Sequence, residues 1–214
     1  MRESKVGRAA RAAAIYERLE RELPDAKCAL DFGSKLDLLV AVILSAQCTD
    51  KLVNEVTPAL FARCPAAADY ARLGATGLEP FIRRVGLFHT KAKNLAAMGA
   101  ALVERHSGEV PGDRDALEAL PGVGRKTAGV VLANAFDVPA LPVDTHVGRV
   151  ARRLGLTTHD DPDKVEADLC TLLPKSRWSQ AHHLFIWHGR KTCAARAPAC
   201  ERCVVETLCP KRGV

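Results

Sequence analysis

Aromatic residues are scarce in this chain of 214 residues, at 5% of the total. So few rings argue against a surface built to stack exposed bases, the device of single-strand binders. Long apolar runs are also missing. The longest, Leu36 to Ala46, is interrupted by Asp37 and is too short to span a bilayer. The N-terminus is basic but turns charged and amphipathic from Tyr16 to Glu22, without the apolar core of a signal peptide. No period-two alternation marks strands, and there is no internal repeat or low-complexity linker. These absences predict a cytoplasmic, helical protein with no membrane partner.

What is present is a hydrophobic content of 48%, which fits a globular protein of one or two domains and argues against disorder. The net charge of +6 favours polyanions, because binding phosphates releases their counterions. The eight cysteines fall into two groups. Cys28, Cys48, Cys64 and Cys170 are scattered among helical segments and read as small buried hydrophobes. Cys193, Cys200, Cys203 and Cys209 crowd together as C-x6-C-x2-C-x5-C. Loops of six and five residues wrap an iron–sulfur cluster, [4Fe–4S], more naturally than one ion. Zinc is the alternative, although its structural sites usually show two short cysteine knuckles. Two disulfides are the remaining reading, with no sign of an oxidising compartment to support them.

Apolar periodicity and stop signals predict helices over 9–23, 37–46, 50–64, 69–73, 77–85, 90–105, 115–120, 125–136, 144–154, 163–173 and 179–190. Asp50 and Asp144 read as N-caps, and Gly86 and Gly108 as C-terminal stops. Pro58 is placed to kink its helix. The 37–46 helix is apolar all round and belongs in a core.

Between Leu120 and Asp144 lies LPGVGRKTAGVVLANAFDVPALPVD. Gly122 and Gly124 bracket a turn. There the backbone N–H groups of Gly122, Val123, Gly124 and Arg125 can approach a DNA phosphate, with the helix N-terminus adding its partial positive charge. Lys126 in the first helical turn has two readings, a phosphate contact or a nucleophile. The nucleophile needs a lowered pKa, toward which the helix N-terminus and apolar surroundings both push. Asp144 is a cap, or also a fixed anion for the oxocarbenium character that grows at a sugar C1′ when a base leaves. His146 is a polar contact or a packing residue. Arg149, Arg152 and Arg153 lie off the apolar stripe and read as phosphate contacts or as a solvated face.

LPGVGRKTA, VDTH and the cysteine spacing, with LSAQCTD (Leu44 to Asp50) and VGLFHTKAKN (Val85 to Asn94), resemble the endonuclease III family of helix–hairpin–helix DNA glycosylases. The likeness runs from about residue 10 to about residue 210. It implies an all-α, two-domain helix–hairpin–helix glycosylase fold with a DNA groove between the domains. A six-helix barrel spans 28–138, and an iron–sulfur cluster domain comprises 1–27 and 139–214. It implies Lys126 as Schiff-base nucleophile and Asp144 as its carboxylate, with Cys193, Cys200, Cys203 and Cys209 holding [4Fe–4S]. Gln47 matches the residue that fills the gap left by an extruded nucleotide, and Leu87 an apolar wedge between bases. His89, His146 and Arg149 complete the implied DNA contacts. The implied protein is a monomeric bifunctional glycosylase and abasic-site lyase, prokaryotic and nucleoid-associated, that acts on oxidised pyrimidines in duplex DNA.

Two positions depart from the family pattern. Gly129 stands where Asn is frequent, and His89 stands beside the wedge where Asn is common, which bears on base contacts. Two other activities compete. One is a monofunctional enzyme for adenine or mismatched thymine, whose relatives lack the hairpin lysine. The other is a non-catalytic iron–sulfur DNA-binding module.

Overall fold

The structure, a computed structural model, describes residues 3–214. Among the described residues it holds ten α-helices and three short 3-10 turns, with no strand. The chain divides into two compact units: Ala29–Val138, and Met1–Cys28 joined by Pro139–Val214. No helix among the described residues is long and apolar enough to cross a membrane.

The continuous unit contains six helices: α2 (Lys35–Ser45), α3 (Asp50–Arg63), α4 (Ala67–Ile82), α5 (Phe88–His106), α6 (Arg114–Glu118) and α7 (Arg125–Ala135). Helix α2 starts where the Ser34 hydroxyl accepts the Asp37 N–H, and every residue from Leu38 to Leu44 is buried. Burial on all sides accounts for its lack of an amphipathic pattern. Helix α3 is capped by Thr49, whose hydroxyl accepts the Leu52 N–H, and not by Asp50. Asp50 is instead the first helical residue, where its charge suits the helix N-terminus. Pro58 lies inside α3 without ending it. Helix α4 takes up the two segments expected at 69–73 and 77–85, broken at Gly74 where φ is 65°.

Gly86 is not a helix stop. Helix α4 ends at Ile82, and the left-handed residue before α5 is Leu87. Gly108 does serve as one: its N–H reaches back to the Leu102 carbonyl at 2.9 Å. Helices α4 and α5 approach so closely that a Cβ on Gly99 would lie 2.6 Å from the Ala67 carbonyl oxygen.

The discontinuous unit is built from α1 (Lys5–Glu22), α8 (Thr145–Arg153), α9 (Pro162–Leu172) and α10 (Trp178–Lys191). Helix α1 begins four residues earlier than expected, because the Ser4 hydroxyl caps it. Ala12, Ile15, Tyr16 and Leu19 face a core shared with Val147, Val150 and Ala151 of α8 and Leu184 and Phe185 of α10. Arginines on α1 also grip the C-terminal segment. Arg11 donates to the carbonyls of Leu154 (2.6 Å) and Leu208 (3.1 Å), and Arg18 to that of Val204 (3.2 Å). The N-terminal helix is thereby tied to the loop that carries the four crowded cysteines.

Candidate functional site

In the continuous unit, α6 and α7 form a hairpin. The Val123 N–H closes its turn on the Leu120 carbonyl at 3.1 Å. Pro121 presets the second turn position, and Gly122 supplies the left-handed third position, with φ at 80°. A Cβ on Gly122 would also sit 2.9 Å from Asn94 Cβ. Gly124 has no such internal reason to be glycine. Its backbone is extended, and a Cβ there would meet nothing within 4 Å. The open space leaves its backbone accessible to a group from outside the protein. Gly124 is the N-cap of α7 and offers no side-chain cap, so an exposed helix N-terminus stands ready for an anion.

Arg125 and Lys126 are the first two residues of α7, and both are exposed. Burial begins two residues later, at Ala128. The apolar surroundings expected for Lys126 are therefore absent within its own unit. A side chain at the start of the helix projects past the apolar segment that follows it.

Gln47 and Leu87 lie in the same unit, in two separate turns. Both take left-handed backbone conformations, with φ of 54° and 59°. Such conformations in non-glycine residues cost free energy and persist where the surroundings hold them. Gln47 is exposed, and Leu87 is 60% exposed, an unusual position for a leucine. His89, in the first turn of α5, sets Nδ1 2.7 Å from the Glu79 carboxylate and stacks near Phe88.

In the discontinuous unit, Asp144 caps α8, with Oδ1 accepting the Val147 N–H at 2.7 Å. The carboxylate is only half-buried, so it can accept that bond and still face a ligand. His146, also half-buried, is held below its ordinary pKa mainly by burial, with the Asp144 carboxylate opposing. Arg149 directs its guanidinium into the protein, to the carbonyls of Gly189 (2.8 Å) and Cys193 (3.2 Å) and to His146 Nδ1 (3.2 Å). It therefore ties α8 to the end of α10.

The four crowded cysteines line one cavity in this unit, together with Arg153, His188 and Lys211. Among the described residues, no three His, Cys, Asp or Glu side chains close to the spacing of a single metal ion. N–H groups point at the sulfurs: Arg153 Nη1 at 3.5 Å from Cys193 Sγ, and the Lys211 backbone N–H at 3.3 Å from Cys209 Sγ. His188 Nε2 lies 3.7 Å from Cys203 Sγ. Burial raises the thiol pKa of Cys203 and Cys209, and the other cysteines of the group push it further up. Of the scattered cysteines, Cys64 is buried as expected, whereas Cys28, Cys48 and Cys170 are only half-buried.

Residues 40–175 match the model of the HhH-GPD superfamily base excision DNA repair proteins. Endonuclease III of Synechocystis sp. is 48% identical over 201 residues, 94% of this chain and 92% of that protein. The chain belongs to the endonuclease III family. Endonuclease III of Escherichia coli (strain K12) is 44% identical over 91% of this chain and 92% of its own length. Among solved structures, a trapped endonuclease III–DNA covalent intermediate superimposes with a TM-score of 0.91 at 45% identity. It covers 95% of this chain and 96% of its own. A non-covalent endonuclease III–DNA complex gives the same TM-score and identity, with 95% of each chain covered. A thermostable thymine-DNA glycosylase, at 23% identity and a TM-score of 0.81, shares the fold.

Within this endonuclease III fold, three residues matter more than their sequence context suggests. Lys91 is buried at 4% exposure, and its ammonium donates to the carbonyls of Leu44 (2.9 Å) and Ala46 (2.6 Å). Arg153, read from sequence as solvated or phosphate-bound, is buried and holds the carbonyls of Ala194 (2.6 Å) and Ala195 (3.0 Å). His188 is buried beside the cysteine cavity. A charged residue in a helical pattern is read as exposed by default. Only the position of Arg153 one turn after Arg149, on the side facing the cysteines, could have signalled otherwise. Arg196 and Arg202 are exposed on the cysteine loop.

Proposed function

We propose that this protein is a bifunctional DNA glycosylase and abasic-site lyase that removes oxidised pyrimidines from duplex DNA. The observation that carries the reading is the hairpin. An uncapped helix N-terminus and an open Gly124 stand next to the Lys126 amine in the first helical turn. The hairpin amides hold a phosphate and set the sugar beside the amine.

The damaged nucleotide leaves the stack, since C1′ is out of reach inside the duplex. Gln47 and Leu87, held exposed on strained turns, occupy the space it vacates. The N-glycosidic bond breaks and its electron pair leaves with the base. Positive charge grows on the sugar, and the Asp144 carboxylate stabilises it. The neutral amine of Lys126 attacks C1′ and gives up a proton. The C1′–O4′ bond then breaks, the ring oxygen takes a proton and stays on C4′ as a hydroxyl, and the opened sugar is left as an imine of Lys126. The imine acidifies the C2′ proton. Its removal expels the 3′ phosphate, and water then frees the lysine. Lys126 is exposed in the free protein, where a seated duplex can reach it.

Cys193, Cys200, Cys203 and Cys209 would hold a [4Fe–4S] cluster. Four thiols around one cavity suit such a cluster, which takes four cysteine ligands. The N–H groups aimed at Cys193 Sγ and Cys209 Sγ would stabilise thiolates. When bound, the cluster supplies a four-point crosslink that orders the 193–209 loop and a centre able to take up or release an electron. Zinc is the competing occupant, and iron and sulfide analysis with the visible spectrum separates the two. The 29–138 unit would be the six-helix barrel, and the unit from the two chain ends the cluster domain.

Borohydride reduction tests the reading. A duplex carrying an abasic site should become covalently attached to the wild-type protein, and Lys126→Ala should form no adduct. If Lys126→Ala traps as well as wild type, the lysine assignment fails. If wild type binds the duplex but neither traps nor nicks it, the protein is a non-catalytic binding module.

A further inference from the structure

Lys91 is a buried lysine held by backbone carbonyls. Its ammonium bonds to the carbonyls of Leu44 (2.9 Å) and Ala46 (2.6 Å), at the C-terminal end of α2. Those carbonyls have no helical N–H of their own, and the negative end of the helix dipole favours a cation there. Burying an ammonium is costly, so its place implies a return on that cost in structure. The residue after Ala46 is Gln47. On the other side, the Lys91 backbone N–H bonds to the Leu87 carbonyl at 3.0 Å. The two turns also lie close together: a Cβ on Gly86 would come within 3.7 Å of the Gln47 carbonyl oxygen. Lys91 therefore stands in the first turn of α5, joined to Leu87 by the ordinary helical bond, and reaches with its ammonium to the end of α2 beside Gln47.

We infer that Lys91 is a positioning residue for nucleotide extrusion, fastening the Gln47 turn to the Leu87 turn so that gap-filler and wedge enter DNA as one rigid piece. The inference rests on the glycosylase reading and on those roles for Gln47 and Leu87. A residue held at φ near 54° relaxes unless something restrains it. Removing the ammonium leaves two carbonyls of the α2 end unsatisfied and frees the turn to do so. The chemistry at Lys126 is untouched, but the extruded state is held less firmly.

The test uses the full-length holoprotein with duplexes carrying thymine glycol, an oxidised pyrimidine, opposite 2-aminopurine. Binding of wild type should raise the fluorescence as the opposite base is separated from its partner and neighbours. Lys91→Met should lose most of that rise. It should also slow single-turnover base release about tenfold, while Lys91→Arg restores both. In a Gln47→Ala background, Lys91→Met should cost less than about twofold more, because residues acting as one unit do not add. If Lys91→Met does not fold, Lys91→Gln, which keeps one N–H2 donor group, enters the same cycle. A full and additive cost in the Gln47→Ala background, or an unchanged fluorescence rise, overturns the inference. A wild-type protein that neither releases the base nor traps an abasic site overturns the glycosylase reading instead.

Discussion

Asp144 has two duties that one substitution separates. As a cap it accepts the Val147 N–H, and an asparagine oxygen can do the same. As the anion of the proposed mechanism it would stabilise charge on the sugar, which an asparagine cannot do. Asp144→Asn should therefore cost less than about 1 kcal/mol of stability in a denaturant melt, whereas Asp144→Ala costs about 1 kcal/mol or more. Both should lower single-turnover base release at least about a hundredfold. Gly124 makes the opposite case. Its absent side chain serves no internal contact, so Gly124→Ala should lose no more than about 1 kcal/mol while weakening duplex affinity roughly tenfold. A filter-binding titration beside the melt reads both. Buried histidines contribute to the pH dependence, His183 among them. Burial pushes its pKa to about 4 from 6.5, so the unfolded chain takes up a proton that the folded chain refuses. Stability is full above about 6.5 and is lost as pH falls toward about 4, by an amount on the order of 3 kcal/mol from this residue. His188 is displaced to the same value by the same cause. His183→Leu should then make the fall in urea midpoint across that window smaller, whatever it does to absolute stability.

At the scale of elements, periodicity located nearly every helix, and the errors fell at ends and breaks. Helix α8 announced itself by Val147, Val150, Ala151 and Leu154 on one stripe, all of them buried. Helix α1 began earlier than its apolar pattern because Ser4 caps a first turn that buries little. Thr49 and Asp50 are both good caps, and which one serves depends on a single backbone torsion. Gly86 looked like a stop, but the left-handed position went to Leu87 and glycine stayed in the turn before it. Close helix approaches were not legible either, since a glycine inside a helix reads only as a weak point. Gly99 lets α5 approach the backbone of α4, where a Cβ would come 2.6 Å from a carbonyl that cannot move alone. Gly99→Ala should destabilise by about 1–3 kcal/mol through overpacking, although alanine favours an isolated helix. Thermal melting with an unchanged far-UV spectrum checks it.

For the molecule as a whole, the cysteine loop is where stability and the proposed cluster meet. The 193–209 segment has short 3-10 turns and few long apolar side chains, and is gripped by Arg11, Arg18 and Arg153 through carbonyls. Such a segment needs a crosslink to hold one shape. Cys200→Ser should lose iron and the visible absorption together. It should make the 193–209 backbone exchange its amide hydrogens rapidly while the amides of α2 to α7 stay protected. Unchanged protection of the loop without the iron would mean that the arginines suffice. Duplex affinity should fall steeply with salt, as a net charge of +6 on a phosphate ligand requires.

The sequence by itself determined the helical class, the hairpin, the lysine and aspartate, and the cysteine group. Each is a local matter: a repeat of three to four residues, a turn that needs glycine, or ligands crowded into one short loop. Tertiary structure decided which charged residues are buried. Arg153 read as a phosphate contact or a solvated face, and Lys91 gave no local sign of burial; each is inside because carbonyls from a distant segment converge on it. Tertiary structure also turned Arg149 toward carbonyls and left Lys126 in solvent. The reason is physical. Periodicity reports which face of a helix is apolar, whereas the partner of a buried charge is set by backbone ends brought together only when the chain folds.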